Sequence, residues 1–205
     1  MDVDAATLSG RALYDLLVDT VVPRPVAWVL TLSADGAPNL APFSFFSGVC
    51  ARPPMLSVSV ASKPVLGSDG QRRFVPKDTV SFARERGHFT VHIAPASQRE
   101  AVASTAADHP PGTDVPALLG LSLNPGSWGP IPWSPDLPVA MECRLEQVVE
   151  VGEPVTHMLL GRVLGWHVQD ALVDADGRVP SGWDPLARLG ISGYLPPRNL
   201  QVPRS

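Results

Sequence analysis

Cysteine is scarce in this chain. Only Cys50 and Cys143 occur among 205 residues. They form no C-x-x-C pair, which argues against a zinc ribbon or a thioredoxin-like motif and leaves two reduced, buried thiols as the expectation. Long apolar runs are also missing, since no stretch reaches the ~18 residues of a membrane helix. The first ten residues, MDVDAATLSG, are acidic and polar and do not read as a signal peptide. A cytoplasmic location is the expectation that follows. Positive charge is modest: 16 Lys and Arg against 20 Asp and Glu give a net charge of −4, with no basic run. That gives no electrostatic reason to bind nucleic acid, so an anionic ligand must be held by local groups. No G-x-G-x-x-G or Walker sequence is present, which excludes a separate Rossmann or P-loop unit. Gly190-Ile191-Ser192-Gly193 lacks the spacing of a nucleophile elbow. His88 and His92 are four apart, but in a strand that spacing does not make a helical metal pair, and no metal is expected.

Proline, by contrast, is plentiful at 23 residues, about twice ordinary usage, which favours loops and turns over a helical bundle. The organising stretch is Val22 to Phe46, VPRPVAWVLTLSADGAPNLAPFSFF. Pro25 forbids an interior helix, and the run from Val26 to Leu32 is β-branched and aromatic, as a strand prefers. Asp35-Gly36 supplies a hairpin turn. The arm from Asn39 to Phe46 mixes proline, small residues and phenylalanine. Around this stretch, Ser9 or Thr7 caps a helix through Val18 with Leu13, Leu16 and Leu17 on one face. Met55 to Val60 is a strand with Ser57 and Ser59 on one side. Lys63 to Pro76 is a long polar loop. Asp78 or Thr79 caps a helix that ends at Gly87. His88 to Ile93 is a strand, and Ser97-x-x-Glu100 is a capping box ahead of a helix through Ala107. Residues 109–138, with eight prolines, form a covering loop. Two long strands, Val139 to Val151 and Val155 to Val168, flank a Gly152-Glu153-Pro154 turn, and a small hairpin follows around Asp176-Gly177. The sum is one domain over residues 1–205, mainly β with short helices, in a closed or nearly closed barrel.

Five words in order resemble the flavin reductase-like family: Pro23-Arg24-Pro25-Val26-Ala27-Trp28-Val29, Asn39-Leu40-Ala41-Pro42-Phe43-Ser44-Phe45-Phe46, Pro53-Pro54-Met55, Lys77-Asp78-Thr79, and Leu186 through Tyr194. The resemblance implies an FMN-binding split β-barrel. It implies FMN as cofactor, with FAD as the alternative, and NAD(P)H as reductant. Electrons would pass to free flavin, a partner monooxygenase or a small acceptor. It also implies a homodimer with sites near the subunit contact. The rival readings are a flavoprotein electron carrier without its own NAD(P)H activity, and a relative repurposed for a specialised small molecule without flavin.

A flavin site needs a phosphate anchor, a flat slot and donors at the ring's polar edge, and it needs no nucleophile because the cofactor carries the chemistry. No catalytic residue is therefore assigned. Lys77, Asp78 and Thr79 stand at a helix start, where outward N–H groups favour an anion. By themselves they read equally as a capped helix with a solvated lysine; the resemblance implies phosphate contact. It likewise assigns Asn39, Ala41, Pro42, Phe43 and Ser44 to the flavin lining. Thr31 and Ser33 are within reach of the ring or ribityl chain. Ser59, with Ser57, faces either the cofactor or water. Arg24 reads as half of a structural ion pair, with a carboxylate at a subunit contact as its partner, and the nicotinamide phosphates are the alternative. Trp28 reads as a core or interface ring. His167 is either a buried, hydrogen-bonded histidine or a neighbour of the flavin, and Tyr194 reaches toward an adjoining site.

Overall fold

A computed structural model of the chain describes residues 2–110, 112–179, 183–191 and 193–195. The first helix is α1, Gly10–Thr20, capped by Ser9, whose Oγ accepts the Ala12 N–H at 3.3 Å. Then come β1 (Arg24–Pro25), β2 (Ala27–Leu32), β3 (Pro38–Phe43), β4 (Phe46–Ala51), β5 (Pro54–Ala61), β6 (Lys63–Leu66) and β7 (Arg72–Val75). Helix α2 (Asp78–Arg86) leads into β8 (His88–Ile93), and the short helices α3 (Arg99–Ser104) and α4 (Val115–Leu118) follow. The last described strands are β9 (Val139–Val151), β10 (Thr156–Val168), β11 (Ala187–Leu189) and β12 (Gly193–Leu195).

Seven strands form one antiparallel sheet in the order β3-β2-β8-β9-β10-β5-β4. Its two outer strands, β3 and β4, are consecutive in sequence and joined only by Ser44-Phe45. The sheet therefore curls until its ends meet, and the Ser59 N–H extends the β4–β5 ladder into that connection by bonding the Phe45 carbonyl at 2.8 Å. The β2–β3 hairpin turns at Gly36, whose φ of 88° is a conformation that glycine takes without steric cost.

Two apolar clusters cover the two faces of β2. Ala27 and Val29 point into the barrel with Phe43, Val58, Val60, Phe89, Val91 and Leu159, and Val80 and Ala83 of α2 close one end. Trp28 and Leu30 point outward under Val102, Val115, Ile131 and Leu137. Double-sided burial explains why β2 reads as an unbroken apolar run rather than an alternation. Strand β5, covered on one face only, alternates buried Leu56, Val58 and Val60 with half-buried Ser57 and Ser59.

Several expectations need correction. Residues 63–76 are a hairpin, β6 with β7, not an open loop. Asp69 accepts the Gln71 N–H at 3.0 Å and pairs with Arg73 at 2.6 Å, and Gly70 takes φ 74°, which closes the turn. The Ser97-x-x-Glu100 box does not form. A 3-10 turn over Ala96–Gln98 precedes α3, with the Ala96 N–H bound to the Asp184 carbonyl at 2.9 Å, so Ser97 lies inside that turn rather than ahead of the helix. Among the described residues around Asp176-Gly177 there is no strand pair. The Asp174 carboxylate accepts the N–H groups of Asp176 and Arg178 and makes a local turn instead. Arg24 has no carboxylate partner among the described residues. Its buried guanidinium donates to the carbonyls of Val18, Val21 and Gly190 and approaches Ser44 Oγ at 3.4 Å. It thus caps the end of α1 and ties it to the β11–β12 hairpin. Burial and the nearby Arg188 lower its pKa. Ser192 and residues 196–205 lie outside the described residues.

Residues 109–138 divide in two. The second half is fastened to the sheet by Glu142 of β9, which is 2% exposed and accepts N–H groups from Ser127, Trp128 and Gly129 at 2.7 to 2.9 Å. His167 Nε2 lies 2.8 Å from the same carboxylate, stacked on Trp133 with ring centres 3.7 Å apart. His167 is thus the hydrogen-bonded histidine of the two readings. Trp128 lies flat over Gly165, where a Cβ would come within 2.3 Å of the indole.

Nearby, His92 is fully buried. Its Nε2 accepts the Ser134 N–H at 3.0 Å, and Nδ1 is 3.4 Å from the Trp28 carbonyl. Burial pushes its pKa down from 6.5 to about 4, although the Trp28 carbonyl opposes the shift. The unfolded chain therefore takes up this proton at higher pH than the folded one. Stability from this group is full above 6.5 and is lost as pH falls toward 4. Urea midpoints at pH 7 and pH 5 check this: the wild type should drop between them more than His92→Gln does.

Candidate functional site

A cleft of about 560 Å³ opens beside β3. As an end strand of the sheet, β3 pairs only with β2, from Ala27 opposite Phe43 to Leu32 opposite Pro38. The Ser33 N–H bonds the Ala37 carbonyl at 3.0 Å. Alternation from that bond puts the backbone groups of Asn39, Ala41 and Phe43 into the ladder. It turns the Leu40 N–H and C=O and the Pro42 C=O to the free edge. Proline suits such an edge, because it lacks the N–H that would invite another strand.

One wall of the cleft is the N-terminus of α2. Its N-cap is Lys77, not Asp78 or Thr79, and no side chain caps it. The N–H groups of Asp78 and Thr79 precede the first intrahelical bonds and have no acceptor among the described residues. The Lys77 ammonium likewise has no partner among them, whereas Lys63 pairs with Asp78 at 2.9 Å. That pairing matters, because a bare Asp78 carboxylate would repel an anion at the same helix tip. Behind the tip, Asn39 Nδ2 donates to Thr79 Oγ1 at 3.1 Å and to Thr31 Oγ1 at 3.2 Å, which binds β3 to both α2 and β2. Both amide hydrogens are thereby engaged, and Asn39 keeps its carbonyl oxygen as a free acceptor. Arg86 holds the other end of the wall, donating to the Ser33 and Ala34 carbonyls.

The opposite wall is made by residues 105–110 together with Gly112, Thr113 and Val115. Thr105 is fixed by the Trp28 indole N–H at 2.8 Å, and α4 starts with Asp114 accepting the Ala117 N–H at 2.9 Å. The sequence placed residues 105–107 at the end of a helix, which instead stops at Ser104, and residues from His109 in a covering loop. The segment has no motif, and its position depends on Trp28 facing outward from β2.

The anticipated site residues do not all converge. Ser33, Asn39, Ala41, Lys77, Asp78 and Thr79 line the cleft. Thr31 is buried behind Asn39. Phe43 belongs to the barrel core. Ser44 faces Arg24, and neither Pro42 nor Ser59 is among the lining residues. Trp128 and Trp133 pack on His167 and do not line the cleft either. Tyr194 packs against the outer cluster, with Arg188 over its ring at 5.4 Å.

The model of the flavin reductase like domain matches residues 19–182. The chain belongs to the flavin reductase-like family. Nitrilotriacetate monooxygenase component B from Bacillus cereus is similar over 96% of this chain and 95% of its own, at 33% identity and a TM-score of 0.85. The 2-nitrobenzoate 2-nitroreductase NbaA of Pseudomonas fluorescens covers 96% and 91%, at 25% identity and a TM-score of 0.81. A Shewanella frigidimarina protein with a split barrel domain, at 18% identity and a TM-score of 0.79 over 98% of this chain and 96% of its own, shares the fold. Family and neighbours together support a flavin-related oxidoreductase with a flavin cofactor. The cleft suits such a ligand. It offers unpaired helix N–H groups and an unpaired ammonium for a phosphate, and a free strand edge for a planar, polar-rimmed ring. No described helix of this flavin reductase-like chain is long and apolar enough to cross a membrane.

Proposed function

We propose that the chain is an NAD(P)H-dependent flavin reductase that holds FMN in this cleft and passes electrons to free flavin, a partner oxygenase or a small acceptor. The carrying observation is the meeting of two complementary features: the uncapped N-terminus of α2 with Lys77, and the free edge of β3. The N–H groups of Asp78 and Thr79, with the Lys77 ammonium, would hold the phosphate. The Asn39 carbonyl, with Ala41 beside it on the cleft-lining face of β3, would seat and orient the ring edge. Residues 105–110, with Gly112, Thr113 and Val115, would exclude water from its far side. The bound flavin would supply the hydride-accepting chemistry, and the protein positions it. A nitrilotriacetate monooxygenase component among the similar structures supports an oxygenase as the consumer of electrons.

A second copy of the chain completes the proposal. Leu13, Tyr14, Leu16 and Leu17 of α1 are 37 to 48% exposed, and Val18 alone of that helix is buried. An amphipathic helix that shows its apolar face to solvent lacks the surface it was built against. Sedimentation should give twice the chain mass. FMN-loaded protein should bleach on addition of NADH or NADPH under nitrogen. Yellow protein that stays yellow would make it an electron carrier instead, and protein that takes up no FMN would overturn the reading.

A further inference from the structure

Helix α2 carries one aromatic residue, Phe82. The buried side of that helix is Val80 and Ala83, which close the barrel. Asp78 and Thr79, then Phe82, then Glu85 follow at steps of three or four residues, so they share a second face, and all four line the cleft. Phe82 is half-buried there, within reach of a ligand. Among the described residues it belongs to neither apolar cluster and pairs with no other aromatic ring. It is also the only phenylalanine, tyrosine or tryptophan among the described residues of the cleft. The fold thus holds a large apolar ring at the cleft wall without spending it on the core. Most other apolar residues of the cleft are small: Ala37 and Ala41 from the β2–β3 hairpin, and Ala106 and Ala107 from the opposite wall. Alanines around a single ring leave a slot for a flat group.

From this cleft-facing stripe of α2 and the ring it keeps out of the core, we propose that Phe82 is a cofactor-contacting residue that packs against the planar ring of the flavin. The inference rests on the flavin reading of the cleft. Phe82 stands about one helical turn, roughly 5 Å, along α2 from the N–H groups that would take the phosphate. The ribityl chain of FMN is long enough to span that distance, so a phosphate on the helix tip brings the ring to the level of Phe82. One helix would then grip both ends of the cofactor, the anion by its N-terminus and the ring by its side. The polar groups of the cleft are left to the rim of the ring, and a flavin held at both ends is oriented for hydride transfer.

Replacing Phe82 with alanine should weaken FMN binding, read by equilibrium dialysis, about tenfold, the usual worth of an aromatic side chain packed on a planar ligand. The melting temperature of the flavin-free protein should hardly move, because the ring packs on neither cluster and alanine is the better helix former. Inorganic phosphate should displace FMN with the same inhibition constant in Phe82→Ala as in the wild type, since the helix tip and Lys77 are untouched. Phe82→Trp should keep FMN within about threefold and shorten the excited-state lifetime of the bound flavin, because an indole in contact with the ring quenches it. Equal FMN affinity in wild type and Phe82→Ala would overturn the proposal with the flavin reading intact. So would a parallel loss of phosphate inhibition, which would make Phe82 a support of the helix tip, or an unchanged lifetime in Phe82→Trp. Failure of the wild type itself to bind FMN would remove both.

Discussion

Replacing Lys77 with alanine should weaken FMN binding about ten- to hundredfold, the usual worth of a charge-assisted hydrogen bond to an anion. The melting temperature of the flavin-free protein should hardly move. Lys77 is half-buried and has no ion-pair or hydrogen-bond partner among the described residues, so the folded state without ligand loses little when its ammonium goes. Lys63, by contrast, is engaged with Asp78, and its removal would leave a carboxylate at the helix tip. Lys63→Ala should therefore weaken FMN too, through repulsion rather than lost contact. Increasing salt should reduce the Lys63→Ala defect, because partly exposed charges are screened. Fluorescence titrations of the three proteins at two salt concentrations check both statements.

Replacing Glu142 with leucine should destabilise the protein by about 3–5 kcal/mol, the range found when one partner of a buried, hydrogen-bonded charge is removed. Three backbone N–H groups and His167 would lose their common acceptor in one step. Burial pushes the Glu142 pKa up, but the His167 contact and the three N–H donors outweigh it, and the net shift is downward. Its stabilisation is therefore complete above the ordinary glutamate range and is lost as pH falls through the depressed folded value. Chemical denaturation at pH 7 and pH 4 should show the variant's deficit shrinking on the acid side. FMN affinity of the folded variant should be unchanged, because Ser127, Trp128 and Gly129 lie away from the cleft.

Much of the barrel was legible because its strands obey local rules. The Gly152 turn between β9 and β10 and the αL glycine that ends α2, Gly87 at φ 66°, sit where turn chemistry places them. Strand β5 shows its one-sided burial directly in the spacing of Ser57 and Ser59. Other features escaped because they depend on distant partners. Arg24 looked like half of an ion pair, yet its partners are carbonyls as far along the chain as Gly190. The Ser97 box was overridden by a backbone bond from Ala96 to Asp184. At the cleft, the helix-tip words were readable since a helix start is a local event. Which of Asn39 to Ser44 face the ligand was not, because that depends on the pairing of β2 with β3 and on the free edge it leaves. Ser44, in line with the rest by sequence, turns to Arg24 instead. The wall made by residues 105–110 left no trace in the sequence pattern, for it is placed by the outward face of Trp28.

The most direct test of the central claim is the crystal structure of the FMN complex. The account predicts the phosphate within hydrogen-bond distance of the Asp78 and Thr79 N–H groups and of Lys77 Nζ, with the ring along the free edge of β3. A flavin bound elsewhere on the barrel, with the α2 tip left to solvent, would contradict it.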